Sequence, residues 1–247
     1  MDKRNDLMKK KRKLKFKNII ILGLFIGLGF YFYENYIEIN YPSYEVIKED
    51  TSNDYEGTGK EKTKNEDGYF STFTTNSPYK KTYIEYKQNG NASWSNNTYW
   101  GGVMKDTGCG ITSLAIVLSG YGFDFTPEDL RKKYYPVMDY NTLGDELSLT
   151  YGINNSNFYY DSLHLSNEEI LKHLKSNRPI IVCLSSNLGK NRWTTTSHYM
   201  VLLASNNNKV YVSNPNGLEE TSKSSGWYDI DEITPYLVKA LYVEDYD

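Results

Sequence analysis

The chain has 247 residues, 39% hydrophobic and 24% charged, and a mean hydropathy of −0.63, which excludes a multi-span membrane protein but leaves enough apolar side chains for one core. Two cysteines exclude a disulfide-dense scaffold and a cysteine-based zinc site, and His164, His173 and His198 lack metal-ligand spacing, so no metal and no cofactor is expected. Residues 1–17 carry nine Lys or Arg against two Asp, the remainder nineteen against twenty-nine; an acidic body argues against nucleic acid as a partner, because phosphate binding needs a basic face.

Residues 1–17 read as a basic cytoplasmic arm, because sixteen uncharged residues follow, NIIILGLFIGLGFYFY. A helix of that length spans about 24 Å, short of the ~30 Å hydrocarbon core. Lys17 at one end, and Tyr31, Tyr33 and Tyr36 at the other, extend it into the headgroup region. No pair of small residues suited to cleavage follows the run. The expectation is a single-pass membrane anchor over residues 18–36, amino terminus inside and body outside, with a cleaved signal and a secreted body as the alternative. Residues 37–78 are expected to form a flexible polar linker, since Glu49 to Asp67 contains no aliphatic side chain.

The folded domain is expected over residues 79–247. TYIEYKQ (82–88) alternates like a half-buried strand. In CGITSLAIVLSGYG (109–122), Ile111, Leu114, Ala115 and Leu118 form one apolar helix face that a glycine ends. Thr126 before Pro127 and Asp129 reads as a helix N-cap, and 142–152 as a helix stopped by glycine. Ser166 with Glu169 is a capping box for a helix reaching Ser176, with His173 on its wet face. PIIVCLSS, HYMVLLAS and KVYVSN then read as strands, followed by GWYDI and KALYVE with a short helix over 231–238 between them. Helices early and strands late give an α+β class, helices against a mainly antiparallel sheet.

Four residues carry the candidate chemistry. Cys109, flanked by glycines, opens the most apolar helix, where unpaired amides and the helix dipole should lower its pKa; alone, such a cysteine is more often a small buried hydrophobe. His198 begins a strand and can project into a cleft. Asn214 ends the next strand, and Gln88 ends the first strand of the domain. Cys183 reads as a buried strand residue, and Trp193 as either a cleft wall or core.

In this order, YKQ (86–88), the Trp94–Trp100 region, TGCGITSLAIVLSGYG, TPEDL, SHYMVLLA and VYVSNPNG resemble papain-like cysteine peptidases. In particular they are similar to relatives of the bacteriocin-leader-processing peptidases, the family numbered thirty-nine among cysteine peptidases. The resemblance covers most of residues 83–218, and its specific parts are the TGCG helix and the HYMV strand. It implies a papain-like fold with the nucleophile helix packed against the sheet, Cys109 as nucleophile, His198 as general base and acid, Asn214 as its orienter and Gln88 in the oxyanion hole. Many relatives carry aspartate where this chain has Asn214. The implied activity is hydrolysis of peptide or amide bonds, on a peptide, protein or cell-wall peptide substrate. The alternative from another class is a catalytically silent papain-like module that binds peptide or cell-wall material.

Overall fold

The computed structural model describes residues 62–65, 68–75, 80–159, 166–217 and 224–246. All belong to one of the two compact units of the chain, Val46–Asp247. The basic arm and the anchor or signal segment expected over 18–36 lie outside the described residues, among which no helix is long and apolar enough to cross a membrane.

In chain order the elements are β1 (Lys62–Asn65), β2 (Gly68–Thr74), β3 (Thr82–Glu85), β4 (Thr98–Tyr99), β5 (Gly102–Val103), α1 (Met104–Thr107), α2 (Cys109–Gly120), α3 (Pro127–Lys133), α4 (Leu143–Tyr151), β6 (Ile153–Tyr159), α5 (Asn167–Lys175), β7 (Ile180–Ser185), β8 (Ser197–Asn206), β9 (Lys209–Ser213), β10 (Gly226–Asp229) and β11 (Leu237–Tyr246). The principal sheet has six strands in the order β10-β9-β8-β7-β11-β6, every neighbouring pair antiparallel. β3 pairs with β2 in a second, three-stranded sheet. Helix α2, which opens with Cys109, packs against both β8 and β3. The mixed helix and sheet class expected from the pattern is the class observed.

Local chemistry explains the element ends. Thr126 accepts from the Asp129 N–H while Asp129 returns a bond to the Thr126 backbone, with Pro127 at the first position of α3. Ser166 and Glu169 form the same reciprocal cap on α5. Gly152 stops α4 in the left-handed conformation, φ 66°. β7 is buried along its whole length, which matches its unbroken apolar run. One core cluster joins Ile170 and Leu174 of α5 to Val182, Met200, Leu202 and Val212 of the sheet, with Trp193 buried in it. The Trp193 indole donates to the Glu232 carbonyl, so this residue is core and not a cleft wall.

The structure departs from the sequence reading in three places. Two strands, β1 and β2, occur inside the stretch expected to be a flexible linker, residues 37–78. Composition counts only what a segment buries by itself; here β3 supplies backbone partners from Ser71↔Glu85 to Thr74↔Thr82, and Phe73 stacks on Tyr211 with ring centroids 3.7 Å apart. The helix expected over 231–238 is instead two 3-10 turns, Ile230–Glu232 and Thr234–Tyr236, before β11 begins at Leu237. His173 is not on a wet face. Its side chain is only 9% exposed, its Nε2 lies 3.0 Å from the Val243 carbonyl, and its ring meets Tyr242 edge-on. The covering strand β11 is nearly seventy residues away in sequence, beyond the reach of helical periodicity.

Candidate active site

Cys109 is the first residue of α2, with Gly108 before it at the N-cap and no side chain capping the helix there. The amides at a helix start lack intrahelical partners. Here the N–H groups of Cys109 and Gly110 turn toward the Cys109 sulfur, joined by the N–H of Tyr199 from β8. Tyr199 directly follows His198, so the thiol lies near the peptide that carries the candidate base. Cys109 as a residue is partly buried and forms no disulfide with Cys183, while its thiol lies deep enough for burial to dominate its titration. Burial nevertheless outweighs the three amides, and the thiol titrates above the ordinary cysteine range. That corrects the expectation of a lowered pKa, which counted the helix end and not the loss of water around the sulfur.

His198 is buried at the start of β8. Its Nε2 lies 2.7 Å from Asn214 Oδ1, and that same oxygen accepts the Asn216 N–H at 3.0 Å. Only an amide oxygen can accept from a backbone N–H, so the second contact assigns the Asn214 amide orientation. Nε2 must then be the protonated nitrogen, which leaves Nδ1 as the basic one. Asn214 is fully buried, with its own N–H donated to Ser225 Oγ at 3.0 Å. An amide so placed contacts the ring without adding charge.

Gln88 lies three residues beyond β3 and is 2% exposed. Its Nε2 donates to the carbonyl of Lys105 at 2.8 Å, four residues before Cys109. This contact sets the amide orientation, because a flipped Oε1 would face another carbonyl. Nε2 keeps a second proton, while buried Oε1 has no hydrogen-bond partner among the described residues. The segment is strapped to Asn214's: the Gln88 N–H donates to the Pro215 carbonyl at 2.9 Å, and Lys87 Nζ to the Asn214 carbonyl at 2.7 Å. The four residues therefore divide into two linked pairs, Cys109 with the His198–Tyr199 peptide, and Gln88 with the Asn214 turn, joined by the His198–Asn214 bond.

An aromatic wall that the sequence reading missed borders Cys109. Tyr140 lies against Gly110 so closely that a Cβ there would fall 2.4 Å from its ring. It meets Tyr199 at 4.9 Å and Trp100 at 5.5 Å between ring centroids. The Tyr99 hydroxyl reaches it at 3.3 Å, and buried Lys239 donates its ammonium to the Tyr140 carbonyl. Cys183 is a buried free thiol on β7, as expected, directly opposite Tyr199.

Comparison with known proteins follows the same lines. The model of the family described as Peptidase_C39 like family matches residues 83–233. Among solved structures the chain is similar to a C39-like peptidase from Bacillus anthracis, at 15% identity over 57% of this chain and 91% of that one, with a TM-score of 0.42. It is also similar to the peptidase domain of Streptococcus ComA, a bi-functional ABC transporter involved in a quorum-sensing pathway, at 18% identity over 56% of this chain and 90% of that one, with a TM-score of 0.40. No curated protein matches the chain.

Proposed function

From the premise that this chain belongs to the Peptidase_C39 like family, and so to the papain-like cysteine peptidases, we propose that it hydrolyses peptide bonds with Cys109 as nucleophile, His198 as base and acid, Asn214 as orienter and Gln88 as oxyanion donor. The observation that carries the reading is the doubly accepting Asn214 oxygen. It assigns the His198 tautomer and leaves Nδ1 able to take a thiol proton.

A raised thiol pKa means that at neutral pH the proton rests on sulfur. The nucleophile then forms by transfer to His198 Nδ1 as the substrate carbonyl is attacked, and not from a standing thiolate–imidazolium pair. Sulfur bonds to the carbonyl carbon and the carbonyl oxygen takes the negative charge. The second Nε2 proton of Gln88 and the Cys109 N–H supply the donors for that charge. As the C–N bond breaks, Nδ1–H returns its proton to the leaving amine. Water, deprotonated by Nδ1, then splits the thioester and frees the acid and the thiol.

The basic arm and the apolar run support a further part of the proposal, a domain held outside the cell by a single-pass anchor over residues 18–36, with peptide or cell-wall peptide as substrate. The test of the reading is digestion of a defined mixture of denatured proteins, with new termini identified by mass spectrometry. Wild type should generate new termini that Cys109→Ala does not; equal fragments from both, or none from either, would support the silent binding module.

A further inference from the structure

The main chain of Asn214 is set by side chains from outside its own strand. The register of β9 ends at Ser213 with β8 and at Val212 with β10, so Asn214 stands beyond both ladders. Its N–H is donated to Ser225 Oγ at 3.0 Å. Its carbonyl closes a turn by accepting the Gly217 N–H at 3.1 Å, and it also accepts the Lys87 ammonium at 2.7 Å. Lys87 Nζ donates to the Ser225 hydroxyl oxygen as well, at 2.9 Å, since an ammonium can only donate. One lysine therefore holds both peptide groups that flank the Asn214 Cα, directly at the C=O and through Ser225 at the N–H.

The lysine is itself fixed at its base. Its carbonyl accepts the indole N–H of Trp94 at 2.7 Å, and that ring is buried and edge-on to Tyr86. Residues 87–89 then meet residues 214–216 one for one. Lys87 bonds to Asn214, the Gln88 N–H to the Pro215 carbonyl, and Asn89 Nδ2 to the Asn216 carbonyl at 3.2 Å. Charge-assisted bonds such as the lysine's are stronger than neutral ones, and in this set the charged donor falls on the orienter. A side chain takes its direction from its own backbone, so a shift of the Asn214 main chain carries Oδ1 away from the His198 ring, 2.7 Å off.

We propose that Lys87, with Ser225 as its second point of attachment, is a positioning residue for the candidate base: it fixes the Asn214 backbone, and through it the amide oxygen against which the His198 ring is set. The inference rests on the peptidase reading and adds to it two residues outside the Cys-His-Asn-Gln set. Neither role requires contact with substrate. Without the ammonium the Asn214 turn is held less firmly, the imidazole samples orientations unfit to take the thiol proton, and acylation slows.

A double-mutant cycle separates positioning from other roles, because a residue that works through the Asn214 amide has nothing to position once that amide is gone. The readout is single-turnover acylation of Cys109 by p-nitrophenyl acetate, with the Cys109→Ala rate subtracted. Lys87→Met, which keeps the aliphatic stem, should slow acylation about fivefold to twentyfold, and should slow Asn214→Ala by less than about twofold further. Equal slowing in both backgrounds would show that Lys87 acts by its charge or through another group, and no slowing in either would show an idle ammonium; both overturn the proposal while leaving the peptidase reading intact. If wild type forms no acyl-Cys109, that reading falls and this one with it. Melting temperatures identify any variant that does not fold. If Lys87→Met is such a variant, Ser225→Ala takes its place in the cycle, with the same expected and contradicting results.

Discussion

The Gln88 backbone N–H donates to the Pro215 carbonyl at 2.9 Å. This bond ties the candidate oxyanion donor to the residue immediately after the His198 orienter. The candidate base and the candidate oxyanion donor are thereby held in one frame, although β8, which carries His198, and β3, which leads into Gln88, belong to different sheets.

Gln88→Ala removes a side-chain donor and leaves that backbone tie in place. The expected loss is about 10²–10³-fold in kcat with KM nearly unchanged, measured on a chromogenic peptide ester. Gln88→Glu is expected to be no better, because its carboxylate would oppose the Lys105 carbonyl that Nε2 now contacts.

Asn214 accepts two N–H donors through one oxygen, and aspartate offers the same acceptor. Asn214→Asp should keep kcat/KM within about tenfold of wild type, whereas Asn214→Ala should lose about 10–100-fold, the value of one or two buried hydrogen bonds. Steady-state kinetics on the two variants make the comparison.

The raised Cys109 thiol has a signed consequence. Thiolate is the form that iodoacetamide alkylates, with iodide leaving, and below the thiol pKa its population grows tenfold per pH unit. Iodoacetamide labelling of Cys109 should climb about tenfold per unit between pH 6 and 8 without levelling. A fast, flat rate across that range would indicate a standing ion pair. Cys183, pushed up to about 11 by burial first and by the neighbouring Cys109 second, should stay unlabelled throughout, which peptide mapping checks.

His173 is held down to about 4, by burial first and by Arg178 second, against an ordinary value near 6.5. A folded-state pKa below the unfolded one means that the unfolded chain takes the proton first. Stability is therefore complete above about pH 6.5 and falls as the pH drops toward 4, by at most about 3 kcal/mol. Urea unfolding of wild type and His173→Gln at pH 7 and pH 4.5 should show the larger loss in wild type, with the difference absent if the ring is freely solvated.

Much of this architecture is legible locally. Thr126 with Asp129, and Ser166 with Glu169, mark helix starts because a cap is complete within four residues. The apolar spacing after Cys109 and the strand texture from Ile180 to Ser213 are equally short-range signals. Illegible parts depend on partners far along the chain. Tyr140 reads as a loop residue until Gly110, Tyr99 and Lys239 close around it. β2 reads as linker until β3 pairs with it. The direction of the Cys109 shift was missed for a related reason. A helix start is visible in sequence, while the desolvation that outweighs it is a property of everything packed above.

The central claim, that Cys109 attacks and His198 takes its proton, is tested most directly by acyl-enzyme formation followed by intact-mass spectrometry. Wild type and His198→Ala are each mixed with p-nitrophenyl acetate at pH 7, and the acylated residue is located by peptide mapping. The account predicts a single acetyl group on Cys109, formed on the order of 10²–10⁴ times more slowly in His198→Ala. Acetylation of Cys109 at equal rates in both proteins, or of another residue in wild type, would contradict it.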